Sequence, residues 1–241
     1  MAQINNSSSP RKKGKDTRQN ILAACVRLFL EQGYNATTLT QITKEAGASV
    51  SSVQNYFGNK EGVLTELVGI MFKKQFEAAN SIGNQKVKPL LVYAVETSIQ
   101  LTLTELNESL REVYVAAYSN DAAVEYIYKK TSQELCKIFS PYNPDFTEGD
   151  FYECEIGSAG IMRGFMAKKC DQYFTLEKKL TKFLTMTLRA YNVPTAEIDK
   201  AIAFVLSLDI RGISKSILSK LFDLLSMQFN FELSAAVKQE K

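Results

Sequence analysis

Short hydrogen-bonding side chains are concentrated between positions 49 and 55 of this 241-residue chain. Three serines, Gln54 and Asn55 share this stretch with Val50. The amides of glutamine and asparagine present a donor beside an acceptor, which matches the major-groove edge of adenine. Serine can donate or accept, and valine methyl groups can meet the methyl group of thymine. The chemistry available to these residues is therefore recognition by hydrogen bonding and apolar contact.

Residues that could catalyse a reaction are harder to find, because the sequence contains no histidine. That absence removes the commonest general base, the usual partner of a catalytic serine and the commonest zinc ligand. No Walker loop, G-x-G-x-x-G or G-x-S-x-G motif occurs. Cys25, Cys136, Cys154 and Cys170 are too scattered for a zinc ribbon or a disulfide framework, so we expect core thiols in a reducing cytoplasm. We predict no enzymatic activity, no metal site and no cofactor.

The net charge of +3 is unevenly distributed along the chain. Residues 1–75 hold ten Lys and Arg against five Asp and Glu, so this end carries +5 and the remainder −2. A basic end suggests a polyanionic partner, either nucleic acid or an anionic membrane surface, although an ordinary solvated surface is also common. Because no secretory signal and no apolar run of membrane-spanning length occur, we expect a soluble cytoplasmic protein without a membrane partner.

Apolar residues recur three and four positions apart without sustained strand-like alternation, which predicts an all-α fold. The first helix is predicted over about 16–32, with Asp16 and Gln19 as a capping box and Gly33 in the left-handed closing position. Further helices are predicted at about 39–46, 50–56, 60–82, 88–106, 109–118, 121–139, 149–170 and 176–191. A last segment is predicted to run from 195 to the C-terminus with a break near Gly212.

The second and third helices are short, are joined by a glycine turn and follow an amphipathic helix, which is the layout of a helix-turn-helix. Ala46 is small enough to let two helices cross closely, and Gly47 can adopt the positive φ that the turn needs. The core of this unit is expected at Ile42, Ala46, Ala48, Val53 and Tyr56. The polar side chains of positions 51–55 then face outward. A polar solvent face is the simpler alternative, but the basic surroundings favour a nucleic-acid contact.

One continuous stretch, TRQNILAACVRLFLEQGYNATTLTQITKEAGASVSSVQNYFGNKEGVL, combines these features. Its specific parts are Phe29, Gly33-Tyr34, Ala36-Thr37-Thr38, Ile42, Ala46-Gly47, Ser49, Tyr56-Phe57 and Asn59-Lys60-Glu61. From Thr17 to about Leu67 the sequence resembles the N-terminal domain of the tetracycline-repressor (TetR) family. The resemblance implies a homodimeric, sequence-specific transcriptional regulator that binds a palindromic or near-palindromic operator. It also implies a repressor that a small-molecule effector releases from DNA.

The resemblance also assigns roles to residues. Thr38 and Ser49 would hold phosphates or cap helices, the segment 50–56 would enter the major groove, and Lys60 would meet the DNA backbone beside free helix N–H groups. The predicted DNA contacts are Thr38, Ser49, Val50, Ser51, Ser52, Gln54, Asn55, Tyr56 and Lys60. The chain departs from the usual pattern at Val50, Ser51 and Gln54, where lysine, glycine and tyrosine are frequent, and this indicates a different operator.

A basic tail precedes the first predicted helix. It contains Arg11, Lys12, Lys13, Lys15 and Arg18. Such a tail could follow the DNA backbone or enter a minor groove, or it could be flexible and solubilising. The domains are accordingly predicted as a tail over 1–15, a helix-turn-helix domain over 16–60 and a helical effector-binding and dimerisation domain over 61–241.

Aromatic and methionine side chains in the later helices suggest an apolar cavity with hydroxyl groups that orient a ligand. Residues of these types at helical spacing are more often ordinary core. The candidates for ligand contacts are Phe72, Phe76, Tyr93, Tyr114, Tyr118, Tyr126, Met162, Phe165 and Met166.

Gly157, Gly160 and Gly164 share one face of a predicted helix, although each costs roughly 1 kcal/mol relative to alanine there. This glycine face could admit a second helix across a dimer, leave room for a ligand or mark a bent or broken helix. Near the C-terminus, apolar residues alternate in steps of three and four, as in a packing seam that serves as core or as dimer surface. The seam consists of Leu206, Ile210, Ile213, Ile217, Leu221 and Leu224.

Three functions remain open on these observations. The chain could be a ligand-responsive repressor, a helical DNA-binding or interaction protein without an effector, or an enzyme built on Asp, Glu, Lys or Tyr. An operator footprint released by a small molecule would identify the first, and a footprint without a responsive ligand the second. Turnover without a footprint would identify the enzyme, against which the missing histidine weighs.

Overall fold

Apolar residues at helical spacing form helices throughout the part of the chain that the computed structural model describes, residues 10–81 and 88–224. The helices are α1 (Pro10–Gln32), α2 (Leu39–Ala46), α3 (Val50–Phe57), α4 (Lys60–Asn80), α5 (Pro89–Leu106), α6 (Glu108–Ala117), α7 (Asp121–Phe139), α8 (Glu148–Ala167), α9 (Leu176–Ala190), α10 (Thr195–Leu206) and α11 (Ile210–Leu224). A short 3-10 turn, Ser140–Tyr142, follows α7. These ranges contain no strand, so the predicted all-α fold is confirmed.

The first three helices and the start of α4 form a small N-terminal unit. Ile21, Cys25 and Phe29 of α1 are buried together with Ile42 of α2 and Val53 of α3. Helix α1 also packs against α4 and α6. The N-terminal unit therefore rests directly on the helical body behind it.

Helix α5 is the central element of the helical body. Fifteen of its residues are buried, and α4, α6, α7, α8, α9, α10 and α11 all pack against it. A helix hidden on every side needs no polar face, and several of the polar side chains of α5 hydrogen-bond inside the protein. Any polar side chain of α5 is thus placed in the interior.

Helix α1 begins six residues earlier than the sequence predicts. It starts at Pro10, so Asp16 and Gln19 lie inside the helix and the predicted capping box is wrong. Proline is favoured in a first turn and lysine and arginine are good helix formers, which explains the extension despite Gly14. The expected flexible tail over 1–15 is therefore helical from Pro10 onward. Residues 1–9 lie outside the described residues.

The break in the C-terminal segment also lies earlier than predicted. Helix α10 ends at Leu206 and α11 starts at Ile210, and Oδ1 of Asp209 accepts a hydrogen bond of 2.9 Å from the N–H of Gly212. Gly212 thus lies in the first turn of α11, and the predicted break at that residue is wrong. Asp209 is the physical reason, because a carboxylate before a first turn satisfies helix N–H groups that have no other partner.

All four cysteines carry free thiols. Cys25 is fully buried, and burial raises the pKa of its thiol to about 12. Cys136, Cys154 and Cys170 are half-buried, so the expectation of core thiols is correct for Cys25 alone.

The described residues contain no group of three or more His, Cys, Asp or Glu side chains that could hold a metal ion. None of the described helices combines the length and apolar character needed to cross a membrane.

Candidate nucleic-acid interface and internal cavities

Helix α2 is fixed at its start by the predicted capping box, which is confirmed. Oγ1 of Thr38 accepts from the N–H of Gln41 at 3.3 Å, and Oε1 of Gln41 accepts from the N–H of Thr38 at 2.8 Å. An ion pair of 2.9 Å between Arg27 and Glu45 ties α2 to α1. Thr38 is exposed and lies at the helix N-terminus, where a phosphate could also bind.

The connection from α2 to α3 is a glycine turn. Gly47 has φ +59°, and the N–H of Ala48 donates to the carbonyl of Thr43 at 3.0 Å. Ser49 then caps α3, because its Oγ accepts from the N–H of Ser52 at 3.1 Å. The predicted left-handed turn and the predicted serine cap are both confirmed. Together they fix the direction in which α3 leaves α2.

The outer face of α3 is polar and open to solvent. Val50, Ser51, Gln54, Asn55 and Tyr56 are exposed, and Ser52 is half-buried. The hydroxyl of Ser49 hydrogen-bonds to those of Ser51 and Ser52 at 2.8 and 2.9 Å. The side-chain amides of Gln54 and Asn55, in contrast, form no hydrogen bond with any described residue. Their donors and acceptors are therefore available to a partner.

Tyr56 does not belong to the core of the helix-turn-helix, as the sequence had suggested. Its side chain is 41% exposed, whereas Phe57 is half-buried and packs against the core. The reason is helical spacing: Phe57 lies four residues after the buried Val53 and shares its face, so Tyr56 is turned outward. Ile42 and Val53 are fully buried as predicted, while Ala46 and Ala48 are half-buried.

Lys60 is held by the α1–α2 loop, which the sequence did not suggest. Its ammonium donates to the carbonyls of Tyr34 and Thr37 at 3.0 and 2.9 Å and lies 4.2 Å from the centroid of the Tyr34 ring. These contacts use two of its three N–H groups. The contact with the DNA backbone stays a prediction, and it would use the remaining N–H group.

Arg18 also contacts the protein itself. It pairs with Glu66 of α4, and its guanidinium lies 5.5 Å from the centroid of the Phe57 ring. As the last residue of the predicted basic tail it was expected to follow DNA or to lie free in solvent. The second expectation is wrong for this side chain, because Arg18 lies within α1 on the side that contacts α4, and a contact with DNA stays a prediction. The other basic side chains of the tail lie outside the described side chains.

Two cavities lie in the helical body. The first has an empty volume of about 540 Å³, including the part open to solvent, and apolar side chains of α1, α4, α6 and α11 line it. The second, of about 440 Å³ counted in the same way, lies among α4, α5, α7, α8 and α9. Phe72 and Tyr118 line both cavities.

The structure brings six of the nine predicted ligand contacts to these cavities. Phe72, Phe76, Tyr93, Tyr118 and Met162 line the second cavity, and Tyr114 lines the first. The remaining three line neither: Tyr126, Phe165 and Met166. Tyr126 directs its hydroxyl at Gly69 between α7 and α4, Phe165 packs against Phe174 and Phe183, and Met166 is fully buried core. For these three a ligand contact stays a prediction that neither cavity supports, and in this structure they take part in core or helix packing.

The second cavity contains polar residues that sequence reasoning missed. Gln100 donates to Oε1 of Glu96 at 2.6 Å and accepts from the Tyr118 hydroxyl at 2.9 Å. Across the cavity, Ser158 donates to Oε2 of Glu155 at 2.5 Å. A sequence indication did exist, because Glu96 is the only charged residue between 89 and 104 in an otherwise largely apolar helix.

Two of the glutamates that line the second cavity, Glu96 and Glu155, are buried, and burial changes the pKa of both. Burial raises the pKa of Glu96 to about 8 and that of Glu155 to about 7, in each case against hydrogen bonds that lower it. The charge of Glu155 raises the pKa of Glu96 further. Near neutral pH this site is therefore able to exchange protons.

The glycine face of α8 lies on the surface. Gly157, Gly160 and Gly164 are exposed, and a Cβ atom added at any of them would meet no other atom within 4 Å. Helix α8 continues through all three, so a broken helix is excluded as their explanation. None of them lines either cavity. Close approach of another helix of the same chain is likewise excluded among the described residues.

The C-terminal seam is partly core. Ile210 and Ile217 are buried and Ile213 is half-buried, on a helix that packs against α4 and α5. Leu206 is 41% exposed, because α10 ends there and the chain turns. The side chains of Leu221 and Leu224 lie outside the described side chains.

Comparison with known proteins gives matches that begin in the N-terminal unit. Residues 21–67 match the family model of bacterial regulatory proteins, tetR family. The uncharacterized HTH-type transcriptional regulator YxaF of Bacillus subtilis (strain 168) is 28% identical over 156 residues, which cover 61% of this chain and 78% of that protein. The HTH-type transcriptional regulator LmrA of the same organism is 34% identical over 106 residues, or 42% of this chain and 56% of that protein.

A solved structure resembles most of the chain. The crystal structure of RolR in complex with the ligand resorcinol aligns with a TM-score of 0.58 at 17% identity. The alignment covers 79% of this chain and 95% of that one. At this identity the likeness concerns the fold, and it extends the similarity from the N-terminal unit to the helical body.

Proposed function

This chain belongs to the TetR family of bacterial transcriptional regulators, and from that membership we propose that it is a homodimeric repressor released from its operator by a small molecule. The observation that carries this function is the geometry of α2, the glycine turn and α3. It presents the unpartnered amides of Gln54 and Asn55 on an exposed helix of the right size for a major groove. Since bacterial operators lie in the cytoplasm, we expect it to act there.

The position of α3 also suits recognition electrostatically. The first 75 residues carry +5, and the exposed N-termini of α2 and α3 offer Thr38 and Ser49 to phosphates. Phosphate contacts of this kind set the register on DNA, while base contacts supply the specificity. We assign Gln54 and Asn55 to bases, Val50 and Tyr56 to apolar contacts in the groove, and Thr38, the α3 serines and Lys60 to the backbone.

Dimerisation is proposed through the glycine face of α8. The three glycines leave open space on that surface, and the apolar side chains of Ile156 on α8 and of Met186 on α9, a helix that packs against α8, are 45% and 43% exposed. Small residues allow two helix backbones to approach closely, which would offset the cost of three glycines in one helix. Two copies joined in this way would hold two α3 helices for the two halves of a palindrome.

Release by an effector is supported by the helices that the cavities share with the N-terminal unit. Helix α4 begins at Lys60, which holds the α1–α2 loop, and carries Phe72 and Phe76 into the second cavity. Helix α6 contacts the same loop, since Glu112 accepts from the N–H of Asn35 at 2.6 Å. A ligand that displaces α4 or α6 would thus move the helix-turn-helix.

The experiment that tests this function is selection of bound duplexes from a random pool with the full chain. We expect a palindromic or near-palindromic consensus, and an affinity that falls steeply with salt because many phosphates are neutralised. A footprint on the consensus should disappear with one compound of a metabolite library. Binding without sequence preference or without salt dependence would overturn the assignment. A specific footprint that no compound releases would point to an effector-independent DNA-binding protein.

A further inference from the structure

The polar lining of the second cavity is acidic. Glu96, Glu134 and Glu155 line it, and no Lys or Arg stands among the described residues that do so. We propose that this cavity takes a cationic effector, a protonated amine or ammonium compound with an aromatic or aliphatic body. The inference rests on the proposed function, because it names the ligand class of the same regulatory site.

The carboxylates of Glu96 and Glu155 differ from that of Glu105, a third buried carboxylate among the described side chains. Glu105 is 94% buried at its side chain and has two cationic partners, Lys179 at 2.6 Å and Arg111 at 3.2 Å. Glu96 and Glu155 are 3% and 5% exposed and have no such partner. A buried charge is normally paired or neutralised, because removing it from water is costly. The missing positive charge at the second cavity is therefore an unusual feature within this structure.

The hydrogen bonds inside the protein use only one oxygen of each of the two carboxylates. Gln100 and Ser158 each satisfy one oxygen, and the Tyr191 hydroxyl lies 3.4 Å from the oxygen that Ser158 already binds. Oε2 of Glu96 and Oε1 of Glu155 form no hydrogen bond with any described residue. Both side chains line the cavity, so each has an acceptor available to a molecule bound there.

The remaining walls fit the body of such a molecule. Aromatic rings can stabilise an ammonium group by about 0.5–2 kcal/mol when it lies over a ring face, and they also pack against an apolar body. The ring-bearing lining residues are Phe72, Phe76, Tyr93, Tyr118 and Phe183. Glu134 reaches solvent and pairs with Lys137 at 2.7 Å, so it marks the mouth of the cavity. A cation would thus enter past Glu134 and settle between Glu96 and Glu155.

Protons compete with a cation for this site. Glu96 and Tyr93 face the cavity from α5, Tyr118 from the end of α6, Glu134 from α7 and Glu155 from α8, while Tyr191 of α9 contacts Glu155. Burial raises the pKa of all three tyrosines, which stay neutral. The two deep glutamates therefore carry the negative charge, and amine affinity should rise as pH rises through 7 and 8.

The test is calorimetry on the full chain with primary amines and the matching alcohols. The probes are benzylamine, 4-phenylbutylamine and 4-(naphthalen-1-yl)butylamine, each with the alcohol of the same carbon skeleton. At about pH 8 we expect the best amine to bind at least about tenfold more tightly than its alcohol, a difference of about 1.4 kcal/mol. The double variant Glu96→Gln, Glu155→Gln should lose that preference and keep its affinity for the alcohol.

A matched control removes two exposed carboxylates of neighbouring helices, Glu153→Gln and Glu177→Gln, and should bind the amine like the parent chain. Alcohols that bind as tightly as amines would show a site for neutral hydrogen-bond donors. The proposal would be overturned by that result, by an amine preference that the Glu96→Gln, Glu155→Gln variant retains, or by failure of every amine to bind. Operator binding measured on the same preparations distinguishes failure of the ligand class from failure of the proposed function. A chain that binds DNA but no amine refutes only the ligand class.

Discussion

We assign sequence specificity to Gln54 and Asn55 of α3, since their amides have no hydrogen-bond partner among the described residues. We expect Gln54→Ala or Asn55→Ala to relax the base preference by about 1–3 kcal/mol at one position in each half-site. Competition between the consensus and duplexes with single base changes measures this. The control is Gln133→Ala, which removes an exposed amide on α7. If either α3 variant weakens all duplexes equally, the residue concerned does not contact a base.

Lys60 should affect binding in a different manner. Replacing it with alanine removes two hydrogen bonds to carbonyls of the α1–α2 loop and the contact with the Tyr34 ring. We expect Lys60→Ala to lower the free energy of unfolding by about 1–3 kcal/mol and to weaken every duplex by the same factor. Chemical denaturation and DNA titration measure the two effects. A change in base preference would contradict this assignment.

Glu96 and Glu155 make stability depend on pH with a definite sign. Their pKa is 4.5 in the unfolded chain and about 8 and 7 in the folded one, so the folded state binds more protons between these values. The stability that these two groups contribute should therefore be fully present below pH 4.5 and be lost as pH rises through 7 and 8. We expect Glu96→Gln with Glu155→Gln to flatten this decline and to gain at least about 1 kcal/mol at pH 8. Melting curves across this range test it, and parallel curves for both proteins would refute it.

At the scale of elements, the sequence predicts best what is decided locally. Three features could be predicted because each involves partners within a few residues: the capping box of Thr38 and Gln41, the turn at Gly47 and the cap at Ser49. The start of α1 was expected at Asp16 and the break in the C-terminal segment near Gly212, whereas Pro10 and Asp209 take these roles in the structure. Cavity residues come from four or more helices, so spacing within one helix cannot separate Tyr93, which lines the second cavity, from Met166, which lines neither.

Helix α8 is the element through which we propose that the dimer forms. A leucine at Gly160 would fill the open space on the glycine face and keep a second helix away, at a typical cost of 1–3 kcal/mol. We expect Gly160→Leu to favour monomers and to weaken operator binding, because two half-sites are no longer joined. Sedimentation and DNA titration measure both. The control is Gly149→Leu at the start of the same helix, where an added Cβ meets only Oγ1 of Thr147 at 3.5 Å.

Two other outcomes for Gly160→Leu would revise this picture. A stable dimer with normal operator affinity that no longer responds to an effector would place ligand space at this face. A variant unchanged in stability, association, DNA binding and effector response would give the glycine face neither role.

At the scale of the whole molecule, the buried central helix α5 explains why the function of the N-terminal unit could be inferred from sequence more easily than that of the helical body. The N-terminal unit recognises a regular duplex, so its polar face must lie outside, where a helical pattern reveals it. A ligand cavity lies among helices that surround α5, and its polar members are scattered in otherwise apolar segments. Glu96 and Glu155 could have been noticed as charges in such segments, but only the three-dimensional structure shows that they share one cavity.

The hydrogen bond from Asn35 to Glu112 has a thermodynamic consequence for both ligands of this protein. If it exists in one conformation only, it contributes to a coupling free energy between effector and operator, and such a quantity is reciprocal. Operator DNA must then weaken effector binding by the factor by which effector weakens operator binding. We expect Glu112→Ala to reduce both factors equally, with Glu31→Ala, an exposed glutamate of α1, as the control. Titrating each ligand with and without the other measures these factors, and factors that Glu112→Ala leaves unchanged would mean that this hydrogen bond does not contribute to the coupling.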